Sequence, residues 1–193
     1  MRMSLSTVAT RKFTPDEYYR MADMGIFAPG ERVELIEGEI VPLSPQNKPH
    51  ASRTGRINTL LVRAYGDTHD VRVQLPLSLP PASEPEPDFA VVPIAWVEEA
   101  ARHPQNADLV LELADTSLRY DRTEKASVYA KAGIPEYWVL NLAQQCLEVH
   151  LDPGPDPEAP FGHAYRSRRV YQASQQVVPS RLSGSFQVRD LLG

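Results

Sequence analysis

Four apolar residues, Ile57, Leu60, Leu61 and Ala64, recur at i, i+3, i+4 and i+7 between Ser52 and Tyr65. That spacing predicts an amphipathic helix with one face turned to a core. Further along the pattern changes to short apolar runs bounded by turn residues. "DFAVVP" (residues 88–93) and "DLVLEL" (108–113) read as central strands covered on both faces, and "EYWVLNL" (136–142) and "CLEVHL" (146–151) as two more. "VRVQLPLSL" (71–79) is strand-like, with Pro76 marking an edge or a bulge. "RVELIEGEIVPLS" (32–44) alternates Val33, Leu35 and Ile40 around Glu37-Gly38, which predicts a hairpin.

Punctuation residues place the remaining helices. Thr14, Pro15 and Glu17 form a capping-box signature for a short helix that Gly25 can close. "IAWVEEAAR" (94–102) predicts a helix between the two central strands, and "TEKASVYAKAG" (123–133) one closed by Gly133. Proline and glycine crowd "DPGPDPEAPFG" (152–162), which predicts a surface loop. The order of elements implies an α/β fold, a central mixed β-sheet flanked by helices.

Composition narrows the class. A chain of 193 residues with 42% hydrophobic and 23% charged positions suits one domain, here residues 12–193 after a lead-in over residues 1–11. No apolar run approaches the roughly 18 residues of a membrane span, and the N-terminal stretch has no apolar signal region, so no membrane partner and a cytoplasmic location are expected. Cys146 is the single cysteine, which excludes an internal disulfide and predicts a small buried hydrophobe. A formal charge of −5 argues against coating nucleic acid by bulk electrostatics. Positive charge is nonetheless clustered, at Arg53, Arg56 and Arg63 and again at Arg166, Arg168 and Arg169. Each cluster reads either as solvated surface or as a local groove for phosphates.

Three residues stand out chemically. Asp88 opens one predicted central strand, Glu112 sits inside the next, and Lys125 lies on the following helix, on the face shared with Val128, Tyr129 and Ala132. Asp121 falls one turn earlier on that face. An unpaired carboxylate within "LVLEL" would cost several kcal/mol, roughly, so something must compensate Glu112. A cation shared with Asp88 is one answer and an ion pair with Lys125 the other. Two carboxylates from neighbouring strands are protein ligands enough for Mg²⁺, which keeps several waters.

"EPEPDFAVV" (84–92) followed by "DLVLELADTSLRYDRTEKASVYAKAGIPEYWVLNL" (108–142), together with "RVELIEGEIVPLSP" and "VRVQLPLSLPP", resembles the family named "putative restriction endonuclease", long catalogued as a domain of unknown function within the PD-(D/E)XK nuclease superfamily. The likeness covers about residues 12–150. It implies a restriction-endonuclease-like core and Mg²⁺-dependent hydrolysis of phosphodiester bonds, with Mn²⁺ as a substitute. Residue by residue it implies Asp88 and Glu112 as metal ligands and catalytic residues. The lysine usually found two positions after the glutamate is replaced by Ala114, and the resemblance implies its migration to Lys125. Glu34, Gln74 and Asp121 take supporting positions, with Glu84 and Glu86 read as solvated loop charges. The expected partners are nucleic acid, as double-stranded DNA held by Arg53, Arg56 and Arg63, and a second copy of the chain in a homodimer. The missing lysine keeps an alternative open, an inactive nucleic-acid-binding or accessory module of the same fold.

Overall fold

The computed structural model of the chain describes residues 10–43 and 48–193. Most of the predicted lead-in over residues 1–11, and Ser44 at the end of the predicted hairpin, lie outside the described residues. Thr14 caps helix α1 (Pro15–Asp23): its hydroxyl accepts from the Glu17 N–H at 3.2 Å, and the Glu17 carboxylate accepts from the Thr14 N–H at 3.0 Å. Such a cap stabilises a helix by about 1 kcal/mol. The Tyr18 hydroxyl then donates to the Val33 carbonyl at 2.8 Å, joining α1 to strand β1 (Val33–Ile36).

β1 pairs antiparallel with β2 (Glu39–Pro42) through the predicted Glu37-Gly38 turn, where φ is +48° and +80°. Both central residues must be left-handed in this turn type. At Gly38 a Cβ would also fall 2.6 Å from the Lys12 Cβ, so glycine is required twice over. Along β1, Val33 and Leu35 pack with Tyr18, and the alternation of a strand sends Glu34 to the opposite face.

Behind the hairpin stands a six-stranded sheet in the order β3-β4-β5-β6-β7-β8. Its strands are β3 (His69–Val73), β4 (Phe89–Pro93), β5 (Leu109–Ala114), β6 (Glu136–Asn141), β7 (Cys146–Pro155) and β8 (His163–Gln172). All neighbours are antiparallel except β5 and β6. Parallel neighbours need a long crossover. The chain supplies it as α4 (Leu118–Tyr120), a π-turn (Asp121–Lys125) and α5 (Ala126–Lys131). Short helix α3 (Ile94–Glu99) leads from β4 towards β5 and buries none of its residues.

Period-two alternation gives the sheet two cores. Phe89, Val91, Leu109, Leu111, Trp138 and Leu140 face α2 (Lys48–Tyr65) and the C-terminal α6 (Val188–Leu192), beside the small hairpin of β9 (Gln176–Val177) and β10 (Phe186–Gln187). Ala90, Val92, Val110, Ala114 and Val139 face α5 with its Val128 and Tyr129. Each large apolar side chain buried here contributes about 1.5–3 kcal/mol. Cys146 is buried, as expected.

Three sequence expectations change. The inward stripe of α2 runs through Ile57, Leu61 and Tyr65, and Ala64 is exposed, because turning the tyrosine inward buries far more surface than the methyl would. The strand predicted over 71–79 ends at Val73, where Gln74 takes φ +52° and the chain leaves the sheet. The predicted loop at 152–162 is shorter, since β7 runs on to Pro155 and β8 begins at His163. β8 is an edge strand carrying Arg166, Arg168 and Arg169, and its polar face hid it from a search for apolar alternation.

Candidate active site

Strand parity brings the acidic residues together. Asp88, directly before β4 and two residues before Ala90, and Glu112, between Val110 and Ala114 of β5, lie on the α5 side of these antiparallel neighbours. The Asp88 N–H donates to Glu112 Oε2 at 3.0 Å, and the Leu113 N–H donates to Asp88 Oδ2 at 2.8 Å. Each carboxylate is thus fixed by the backbone of the other's strand. Asp88 Oδ1 also contacts Gln74 Nε2 at 3.1 Å and His50 Nε2 at 3.2 Å. Glu112 Oε1 accepts from the Tyr129 hydroxyl at 2.8 Å.

The crossover presents the lysine. A π-turn is a local widening of a helix often found at functional sites, and this one buries Asp121 and Lys125 together. Lys125 Nζ lies 3.3 Å from Glu112 Oε1 and donates to Glu34 Oε2 at 2.7 Å. Glu34 Oε2 also accepts from the Glu86 N–H at 3.1 Å, while its other oxygen, Oε1, is buried with no hydrogen-bond partner. Lys131 pairs with Glu37 at 2.6 Å, so two lysines of the crossover hold the hairpin against the sheet.

Glu34, His50, Gln74, Asp88, Glu112 and Lys125 line a cleft of about 390 Å³. Six carboxylates border it, from Glu34, Glu86, Asp88, Glu112, Asp115 and Asp121, against the cationic or basic side chains Arg32, His50 and Lys125. The crowding shows in their acidities. Burial raises Glu112 above the usual carboxylate range, against the pull of Lys125 and with Asp88 and Asp121 adding to the rise. Burial likewise raises Asp121, although Ser117 donates to it at 2.6 Å. Burial pushes Asp88 up too, but hydrogen bonds from His50, Leu113 and Gln74 outweigh it and hold the carboxyl below its ordinary value. For Lys125 burial is the largest effect and pulls its pKa down, yet the charges of Glu112 and Glu34 raise it and keep the group an ammonium.

A divalent cation fits this donor set. Asp88 Oδ2 and Glu112 Oε2 each accept a single hydrogen bond and retain capacity for a second partner. The excess of buried negative charge, and the orphaned Glu34 Oε1, call for positive charge. Among the described residues no group of three or more His, Cys, Asp or Glu side chains is placed to hold a metal ion. An ion bound by two carboxylates would complete its shell with water, as Mg²⁺ does.

Of the residues singled out by sequence, Glu34, Gln74, Asp88, Glu112, Asp121 and Lys125 all line the cleft. Arg53, Arg56 and Arg63 do not; Arg53 donates to the Leu192 carbonyl at 3.0 Å and ties α2 to the C-terminus. Glu84 and Glu86 are not solvated loop charges: Glu84 is buried on Tyr19 and Ser78, and Glu86 pairs with Arg32 at 2.7 Å. Two residues were missed, His50 and the hydroxyl of Tyr129. His50 stands seven residues before Ile57 and eleven before Leu61, so extending the apolar stripe of α2 towards its N-terminus would have found it.

The profile of a family described as "Uma2: Putative restriction endonuclease" matches residues 15–189. Among solved structures, a putative nuclease belonging to DUF820 from Anabaena variabilis ATCC 29413 is similar, with a TM-score of 0.68 at 15% identity over 93% of this chain and 97% of that one. That likeness shows the fold. The type IIG restriction endonuclease BpuSI aligns at a TM-score of 0.39 and 18% identity, over 78% of this chain and 17% of its own length. No curated protein matches the sequence. Among the described residues no helix is long and apolar enough to cross a membrane.

Proposed function

The chain belongs to the Uma2 family, and from that membership and the carboxylate cleft we propose that it is a metal-dependent endonuclease hydrolysing phosphodiester bonds of double-stranded DNA. One observation carries the reading: Asp88 and Glu112 are locked together by their strands' N–H groups, with the Lys125 ammonium 3.3 Å from Glu112. Asp88 and Glu112, with the Leu113 carbonyl, would hold Mg²⁺ or Mn²⁺, which supplies a water of lowered pKa and neutralises charge on the phosphate when bound.

The chain's own residues do the rest. Lys125 has three N–H donors and spends one on Glu34, with Glu112 an ion-pair contact at 3.3 Å, which leaves donor capacity for the attacking water or a phosphate oxygen. Held as an ammonium by Glu112 and Glu34, it is suited to orienting that water and stabilising charge in the transition state. The water oxygen adds to phosphorus as the bond to one flanking sugar oxygen breaks, leaving a phosphate on one end and a hydroxyl on the other. His50 and Gln74 keep the Asp88 carboxylate oriented and ionised. A cytoplasmic homodimer, with one site for each strand of the duplex, completes the reading.

Incubation with supercoiled plasmid and Mg²⁺ tests it. The wild-type protein should nick or linearise the plasmid, and Asp88→Ala and Lys125→Ala should not; cleavage unchanged in both variants overturns the proposal. The Lys125 to Glu34 pair at 2.7 Å, with Ala114 at the usual lysine position, favours the second reading, an inactive binding module stabilised by an internal ion-pair network. Calorimetry with Mg²⁺ or Mn²⁺ separates the two, because that network requires no metal binding that depends on Asp88 and Glu112.

A further inference from the structure

The basic cluster Arg166, Arg168 and Arg169 takes no part in the carboxylate cleft. The fold puts it on edge strand β8, where Arg168 stands opposite His150 of β7. Arg168, His150 and His163 meet Arg122 of the π-turn around a second cleft of about 280 Å³, whose lining contains no carboxylate. Glu148 lies beneath them with its side chain 0% exposed, accepting from Arg122 Nε at 2.9 Å and contacting Arg168 Nε at 3.1 Å. One carboxylate therefore orients two guanidiniums and cancels the charge of one. Arg168 remains half exposed. The buried Nε2 of His150 has no hydrogen-bond partner and sits 3.9 Å from Glu148 Oε2.

We infer that this second cleft binds a backbone phosphate of the polynucleotide, a few nucleotides from the one being cut, an assignment that rests on the nuclease reading above. Charge is the first reason. The carboxylate cleft, bordered by six acidic side chains, attracts cations and repels a polyanion, so the strand needs positive charge close by. The second cleft supplies net positive charge on a chain of formal charge −5. Placement is the second reason. Arg122 follows Asp121 directly, so the two clefts flank one turn of the chain. A helix with its side chains is about 10 Å across, which corresponds to about three phosphate steps at about 3.4 Å of duplex axis per step. Chemistry is the third. Guanidiniums grip phosphate oxygens through paired N–H groups, and such contacts fix the register of a strand without reading its bases.

The test measures binding apart from cleavage. A fluorescein-labelled DNA duplex is titrated with the full chain in Ca²⁺ and again in chelator, over a series of salt concentrations. Arg168→Gln, which leaves Arg122 on Glu148, should weaken binding about five- to tenfold and reduce the salt slope by about one phosphate equivalent. Arg122→Gln should do the same, with its melting curve recorded as a check of folding. Adding duplex should shift the imidazole resonances of His150 and His163 in the wild-type protein. Binding by Arg168→Gln within twofold of wild type at an unchanged slope overturns the inference, as does a wild-type protein that binds no duplex in either condition. Failure of the nuclease reading looks different: Asp88→Ala would then cut as the wild type does, whatever the arginine variants bind.

Discussion

Lys125 donates a hydrogen bond of 2.7 Å to Glu34 across 91 residues of chain, with both side chains almost fully buried. The same ammonium reaches Glu112 at 3.3 Å, so one cation from the crossover compensates carboxylates from the hairpin and from the sheet. Removing one member of a buried ion pair costs about 3–5 kcal/mol, because the partner is left charged and unsolvated. Lys125→Met should lower stability by that amount in urea denaturation. Adding Glu34→Gln should recover part of the loss, and strictly additive effects of the two changes would show that the pair is not coupled.

In the proposed site Asp88 would hold the metal. Asp88→Asn keeps the shape and removes the charge. Calorimetry should then show no Mg²⁺ binding, while the melting temperature falls modestly, since the donors of His50, Gln74 and Leu113 that hold Asp88 ionised lose their charged acceptor.

His50 contacts Asp88 from the first turns of α2 at 3.2 Å. Groups that orient a metal ligand typically contribute 10–100-fold in metal affinity or activity. His50→Ala should therefore reduce both plasmid cleavage and Mg²⁺ affinity by about that factor, and His50→Gln, which keeps a donor, should restore part of each. Equal activity in the alanine variant would remove His50 from the site.

The Tyr129 hydroxyl is buried and donates to Glu112 Oε1 at 2.8 Å. Tyr129→Phe preserves the ring and deletes this donor, at a cost of about 1–3 kcal/mol for an acceptor left short of a partner in the interior. Denaturant midpoints of the two proteins give the difference directly.

Burial lowers His150 from its ordinary 6.5 to about 4, against the attraction of Glu148 and with Arg168 and Arg122 lowering it further. The unfolded chain therefore binds a proton between those values that the folded chain does not. Stability present above pH 6.5 should fall as the pH drops towards 4, by up to about 3 kcal/mol from this residue. His150→Phe should flatten the pH dependence of the melting temperature in that window, and an unchanged slope would assign the acid sensitivity elsewhere.

Local rules settled much of this molecule in advance. The Thr14 capping box, the Glu37-Gly38 turn and the apolar runs of β4, β5 and β6 are each written in neighbouring residues, because a cap, a tight turn and a buried strand depend on short-range sterics and burial. Asp88, Glu112 and Lys125 were legible for a related reason: a carboxylate inside "LVLEL" and a lysine on an inward helical face both demand a partner. Which partner each finds was not legible. Sequence spacing contains no information on strand register. The antiparallel pairing of β4 with β5 is what gives the Asp88 N–H to Glu112, and the hairpin's seat on the crossover is what gives Lys125 to Glu34. The arginines show the same division. Their clustering is a property of the chain, but only the packing of α2 on α6 turns Arg53 to the C-terminus, and only the pairing of β8 with β7 sets Arg168 against Glu148, where long-range contacts and not local propensity fix the position of a charge.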